Sequence, residues 1–264
     1  MLIKAAINGG RSKAEQAAVP VTPDEQAAAV VECLQAGVDA VHLHVRFTSS
    51  DQRSHLYKES LYPEDVGRTL LAVRSAVAKA NKGSQERLRK NSQGPIGVST
   101  GAWILPDPAE RLGVVAAWEV LPDFASVNFG EDGAVSLAKL LLSRGVEVEA
   151  GLCDAGAAEV FLQSGLAPSC LRVLLEPQEQ DLERALETVG AIEQVLDAGL
   201  ANLPRRPPFL LHGTEATAWS MMDAAIARGY DLRIGLEDTL ALPDGRMARD
   251  NVELVAEAMR RRSS

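Results

Sequence analysis

Eight short runs of β-branched and apolar residues punctuate this chain, and each is followed by a stretch with the spacing and end signals of a helix. The runs are Leu2–Gly9, Ala40–Arg46, Ile96–Gly101, Phe124–Gly130, Val146–Leu152, Leu171–Glu176, Phe209–Gly213 and Leu232–Asp238. Strict alternation of strand and helix calls for a parallel sheet with right-handed crossovers, its strands covered on both faces. Eight units in 264 residues average about 33 residues each, the size of one βαβ step. An open doubly wound sheet also accommodates such units, but no G-x-G-x-x-G follows the first run. The pattern therefore favours an α/β fold of the (β/α)8 TIM-barrel class, near the minimal length for it, as a single domain over residues 1–264.

The helices announce themselves by their ends. Thr22 is placed to N-cap the first, with Pro23 at N1, Glu25 as the capping-box acid and Gly37 as the closing residue. Further helices are expected after Pro63, Asp107-Pro108, Asp132, Asp154, Asp181, Thr214 and Asn251, with Gly145, Gly165, Gly199 and Gly229 as stops. Lys79 to Gly94 is the most polar segment and reads as a helix end running into a solvated loop.

Composition narrows the class. Hydrophobic residues make up 46% and charged residues 24%, which excludes wholesale disorder. A net charge of −9 argues against nucleic acid as the main partner, since a phosphate backbone needs a basic face. No apolar run reaches the roughly 18 residues of a membrane span, and the N-terminus lacks a signal-peptide pattern. Cys33, Cys153 and Cys170 are too few and too scattered for a disulfide framework or a zinc ribbon, so reduced thiols and a cytoplasmic location are expected.

In a barrel of this kind chemistry gathers at the C-terminal ends of the strands. Polar residues cluster there: Asn8 on the first, His42, His44 and Arg46 on the second, Ser99-Thr100-Gly101 on the third and Asn128 on the fourth. Glu147 and Glu149 lie on the fifth, His212 ends the seventh, and the eighth carries Arg233, Glu237 and Asp238. His42 and His44 are two apart on a strand, so their imidazoles share a face, as two ligands of a first-row metal would; a pair of satisfied core histidines is the alternative. Glu237 is the best third ligand, because the second and eighth strands flank the first. Two histidines and one carboxylate leave an open coordination position, a catalytic arrangement with zinc as the default metal. Arg46, on the same face, suits an anionic substrate or a protein carboxylate. Arg233 and Asp238 form either an acid–base couple beside the metal or a rim ion pair. Ser99-Thr100-Gly101 suits a substrate carboxylate or a capped turn. Trp103 is placed to wall a pocket, His212 is a candidate for its lining, and His55 reads as a loop histidine. No Ser-His-Asp order, P-loop or glycosidase-type carboxylate pair stands out.

The strings VPVTPDEQAAAVVECLQAGVDAVHLHVR, VSTG, FASVNFG, VEVEAGLCD and LRIGLEDTL, in that order from about Asn8 to Asn251, resemble the β-keto acid cleavage enzymes, the family of 3-keto-5-aminohexanoate cleavage enzyme. H-x-H-x-R paired with R-x-G-x-E-D carries most of the likeness. The resemblance implies a TIM barrel with a catalytic divalent metal, usually zinc, and a retro-Claisen exchange. In that reaction a β-keto acid and acetyl-CoA give acetoacetate and a new acyl-CoA. It implies His42, His44 and Glu237 as metal ligands, Asp238 as general base with Arg233 as its partner, and Thr100 in the turn that holds the substrate carboxylate. Either Glu147 or Glu149 matches the acidic position of strand five, and association into a homo-oligomer is expected. The chain departs from the family pattern at Ala102-Trp103, at Thr239 and at Leu211-His212-Gly213, and it ends at Ser264, short of the C-terminal extension of many members. The identity of the acyl chain stays open. A metal-dependent aldolase or lyase that does not use CoA and a non-catalytic metal- or ligand-binding barrel are the alternatives.

Overall fold

The computed structural model describes residues 1–47, 58–83, 94–203 and 205–263. Its strands are β1 (Ile3–Ala6), β2 (Ala40–Leu43), β3 (Ile96–Ser99), β4 (Phe124–Asn128), β5 (Glu147–Leu152), β6 (Arg172–Leu175), β7 (Phe209–Leu211) and β8 (Asp231–Ile234). They alternate with α1 (Pro23–Ala36), α2 (Pro63–Gly83), α3 (Pro108–Ala116), α4 (Ala134–Ser143), α5 (Ala155–Gln163), α6 (Leu182–Leu200), α7 (Ala218–Arg228) and α8 (Asn251–Arg262). Neighbouring strands are all parallel and β1 pairs with both β2 and β8, so the sheet closes into a TIM barrel. The outward strand residues, such as Val148, Ala150 and Leu152, form one apolar layer with helix residues such as Phe161, Val189 and Leu254. Among the described residues no helix is long and apolar enough to cross a membrane.

Inside the barrel the lower layer is charged. Lys4 on β1 pairs with Glu149 on β5, Arg172 on β6 lies 3.0 Å from the other oxygen of Glu149, and Asp231 takes up Arg172 at 3.3 Å. Lys4 and Glu149 are fully buried, so each needs the other to offset its lost hydration.

The helix starts follow their capping chemistry. Thr22 accepts from the Glu25 amide while Glu25 returns a bond to the Thr22 amide, and Gly37 closes α1 at φ 100°. Four end signals act differently from expectation. Gly133, not Asp132, precedes α4; Asp250 caps α8, whose first residue is Asn251; and Thr214 opens only a 3-10 turn (Glu215–Thr217) before α7. Gly199 lies inside α6, where an added Cβ would meet Leu162 at 2.3 Å, so it serves packing rather than termination. His55 and residues 84–93 of the polar segment lie outside the described residues.

The strands are shorter than the apolar runs, and the difference positions the site. β8 ends at Ile234, after which the amides of Asp238 and Thr239 both donate to the Gly235 carbonyl. Glu237 and Asp238 therefore sit on a tight turn, which lets both consecutive carboxylates face Arg233. Strict strand alternation would send one of them to the opposite face.

Candidate active site

The register places His42 between Ala6 of β1 and Gly97 of β3. His42 and His44 share the inner face, with ring centroids 5.1 Å apart and planes at 84°. The Glu237 carboxylate reaches both: Oε2 lies 3.8 Å from His42 Nε2 and Oε1 lies 3.3 Å from His44 Nε2. One donor atom from each of the three residues falls within 4.8 Å of the others. Gly9 makes room for Glu237, since a Cβ there would stand 2.5 Å from the Glu237 Cγ.

A metal ion fits this donor set. Glu237 Oε2 is buried without a hydrogen-bond partner among the described residues. The far nitrogen of His44, Nδ1, contacts the Glu59 carboxylate, an outer partner that fixes the ring and leaves Nε2 facing the cluster. Glu59 also accepts from Trp103 Nε1 at 3.2 and 3.1 Å, and the indole stacks over His44 at 6.1 Å. Burial works against a charged His44, yet Glu237 and Glu59 outweigh it and push its pKa up to about 9. Burial drives His42 well below its ordinary value. Burial alone would raise Glu237, but Arg233 and the two histidines hold it well below the usual carboxylate range.

Beside the triad, Arg233 binds two carboxylates. Its Nε and Nη2 donate to Asp238 Oδ1 at 3.1 and 2.7 Å, and Nη2 also contacts Glu237. Asp238 is wholly buried, and burial raises its pKa despite the opposing pull of Arg233. His212 at the end of β7 lies 3.7 Å from Asp238 Oδ1 on one side and 3.4 Å from Glu176 Oε2 on the other.

These groups open onto a cavity of about 370 Å³ lined by His42, His44, Ser99, Trp103, Asn128, Glu131, Glu176, His212, Arg233 and Glu237, among others. Asp238 is not in that wall. Neither is Thr100, whose hydroxyl donates to the Ser126 carbonyl at 2.6 Å, nor Gly101, which is covered by the Trp103 ring. Asn8 is spent on the backbone: it donates to the His44 and Pro20 carbonyls and accepts from the His44 amide. Glu149 lies in the charged layer beneath, while Glu147 is exposed. Arg46 holds the Gly9 and Arg11 carbonyls and lines an adjoining cavity of about 970 Å³ with Arg11, Lys13, Lys58, Glu59 and Trp103.

Glu59, Glu131 and Glu176 were not singled out from the sequence. Glu176 ends a strand run and carried the same signal as His212. Glu59 had none: it reaches His44 because the Phe47 amide donates to Lys58 O and the Ser60 amide to Val45 O, a pairing across a connection with no strand period.

The model of the beta-keto acid cleavage enzyme family matches residues 1–262. The chain belongs to that family. It is 24% identical to a 3-keto-5-aminohexanoate cleavage enzyme of Fusobacterium nucleatum subsp. nucleatum, over 98% of this chain and 90% of the relative. It is 25% identical to a 3-dehydrocarnitine:acetyl-CoA trimethylamine transferase of Rhizobium meliloti, over 98% and 89%. Among solved structures, the ternary complex of ObcA with a C4-CoA adduct and oxalate superposes at a TM-score of 0.66 with 17% identity, covering 92% of this chain and 63% of ObcA. The chain thus spans less than two thirds of ObcA, and that likeness concerns the barrel fold. The triad and the Arg233–Asp238 pair of this chain lie at the C-terminal mouth of its barrel.

Proposed function

We propose that this chain is a metal-dependent β-keto acid cleavage enzyme, an acyltransferase in which a β-keto acid and acetyl-CoA give acetoacetate and a new acyl-CoA. The carrying observation is the His42, His44 and Glu237 donor set, steadied by Glu59, at the barrel mouth of a family member. The names of its relatives, one a cleavage enzyme and one an acetyl-CoA-dependent transferase, support the same reading. A bound divalent cation, zinc by the donor chemistry, supplies a Lewis acid for a keto oxygen.

The chain's own residues divide the remaining work. Ser99, whose side chain reaches the cavity, addresses the substrate carboxylate, while Thr100 and Gly101 hold the turn. Asn8 fixes the β2 backbone that carries His44, and Arg46 walls the basic cavity that takes the anionic co-substrate. Asp238, charge-balanced by Arg233, belongs to the proton-handling apparatus. Glu149 supports the barrel beneath. The reading treats 1–264 as one catalytic domain of a cytoplasmic homo-oligomer.

The test is metal analysis joined to turnover. About one divalent ion per chain is expected, absent from a His42→Ala/His44→Ala double variant that still melts cooperatively. With β-keto acids, a new acyl-CoA and acetoacetate should form only when acetyl-CoA is supplied. Cleavage at full rate without acetyl-CoA would instead favour the lyase, and a protein that takes up no metal would end the proposal.

A further inference from the structure

The cavity at the barrel mouth has two ends. His42, His44 and Glu237 form one; the wall across from them comes from the exits of β4, β5 and β6 and carries Asn128, Glu131 and Glu176. Glu176 directly follows β6, and its amide donates to the Leu152 carbonyl at 3.1 Å, so pairing with β5 carries it up to the mouth. Asn128 ends β4 and stands in register with Gly151 of β5. A Cβ on Gly151 would be 2.3 Å from Glu176 Oε1 and 2.7 Å from Asn128 Oδ1. The two side-chain oxygens therefore converge over the glycine, in space that any other residue would crowd.

This wall is rich in acceptors and short of donors. The Asn128 amide group is spent on Glu131, to which Nδ2 donates at 2.9 Å, and this turns Oδ1 towards Gly151. Glu131 also accepts from the Ala102 amide at 2.8 Å. Among the described residues neither the Glu176 carboxyl nor Asn128 Oδ1 accepts a hydrogen bond; the nearest charged or ring group to Glu176 is His212 Nε2 at 3.4 Å. His212 is 4% exposed and lines the same cavity, and neither of its ring nitrogens has a hydrogen-bond partner. Burial drives its pKa down to about 3, so the ring is neutral and brings Glu176 no charge. The cations that act on Glu176 are committed elsewhere: Arg233 is bound to Glu237 and Asp238, and Lys4 to Glu149. Burial accordingly pushes Glu176 up to about 7 and raises Glu131 as well.

The chemistry of the missing partner follows. A plain alkyl chain packed here would seal acceptor oxygens away from water without a donor, and a second carboxylate would face two acids. A quaternary ammonium has charge but no N–H, and the indole in the cavity wall, Trp103, is stacked on His44 at the other end. A protonated amine supplies both positive charge and N–H donors.

We propose that the Asn128, Glu131 and Glu176 wall is the acyl-chain subsite, and that it selects a β-keto acid whose chain carries a protonated amine donating to Glu176 and to Asn128 Oδ1. This rests on the β-keto acid reading, leaves its chemistry at the metal ligands and the Arg233–Asp238 pair unchanged, and adds the nature of the chain. With the keto oxygen and carboxylate held at the metal end and Ser99, the chain crosses the cavity to this wall. The acyl-CoA that leaves carries the same amine.

The experiment gives metal-loaded enzyme acetyl-CoA and a matched set of β-keto acids whose chains end in a primary amine, a methyl group, a trimethylammonium or a carboxylate, and follows the new acyl-CoA. The amine acid should lead the methyl acid by about a hundredfold or more in kcat/KM, since a site built to bond an N–H rejects the analogue lacking it. The trimethylammonium acid should fall between them. Glu176→Gln should erase most of that lead, chiefly through KM, with metal content unchanged; Glu176→Asp, with its charge on a shorter arm, should keep part of it. Gly151→Ala puts a methyl group among the converging oxygens and should erode the lead too, and it serves as the readout should the Glu176 variants fail to fold. Methyl or carboxylate acids used as well as the amine, equal use of the trimethylammonium acid, or a lead that survives in Glu176→Gln overturns the inference alone. No new acyl-CoA from any acid of the set overturns the reading beneath it as well.

Discussion

Glu59 shows at the scale of one residue how a site depends on the group that orients one of its histidines. Its carboxylate meets His44 Nδ1 and takes the Trp103 indole N–H, so it sets both the ring's tautomer and its rotation. His44, Trp103 and Arg46 hold it below the usual carboxylate range against its burial, and it stays charged at neutral pH. Glu59→Gln should weaken metal binding about 10–100-fold, the usual effect of losing an outer carboxylate. Competition with a chelator of known affinity reads this directly, and an unchanged affinity would mean that His44 is oriented by the backbone alone. The histidines were legible in the sequence because a strand's period of two put them on one face. Glu59 was not, because no local period links residue 59 to residue 44. Asp238 was legible as an acid, but only the fold shows it sealed behind Arg233 and His212.

At the scale of elements, the site depends on how α8 is pinned under β1 and β8. Asn251, the first residue of α8, accepts from the Leu236 amide and donates to the Ile7 carbonyl, both at 2.9 Å, and is 4% exposed. It thereby fastens the exit of β1 to the turn that carries Glu237. Asn251→Ala leaves two buried backbone groups unpaired and should cost about 2–4 kcal/mol. The neighbouring Asp250→Ala removes only the cap of α8 and should cost about 1 kcal/mol. Urea denaturation of the two variants should rank them in that order, and equal losses would deny Asn251 its bridging role. Sequence pattern located this helix within a residue and misjudged what the residue does. Acidic and amide side chains at a helix start look alike until the fold shows which one reaches the amide of its own first turn and which one turns inward.

The whole barrel keeps ionisable groups inside, and Glu176 is where that placement conflicts with stability. Its carboxyl is raised from 4.5 to about 7 in the folded, metal-free protein, chiefly by burial. A carboxyl with a raised folded pKa binds its proton more tightly in the native state than in the unfolded chain. Its effect on stability is therefore nil below pH 4.5, where both states are protonated, and turns unfavourable as pH climbs towards 7. Above that the penalty levels off at about 3 kcal/mol for a shift of this size. Glu176→Gln, stripped of metal, should match the wild type at pH 4 and gain stability over it as pH rises to 8, read as a growing difference in urea midpoint. A gap that is constant across that range would mean the carboxyl is better hydrated than its burial implies. A growing gap would show the fold keeping a buried carboxyl at the barrel mouth at a cost in stability. Loading the metal should narrow the gap, because a cation in the same cavity favours the carboxylate that burial opposes.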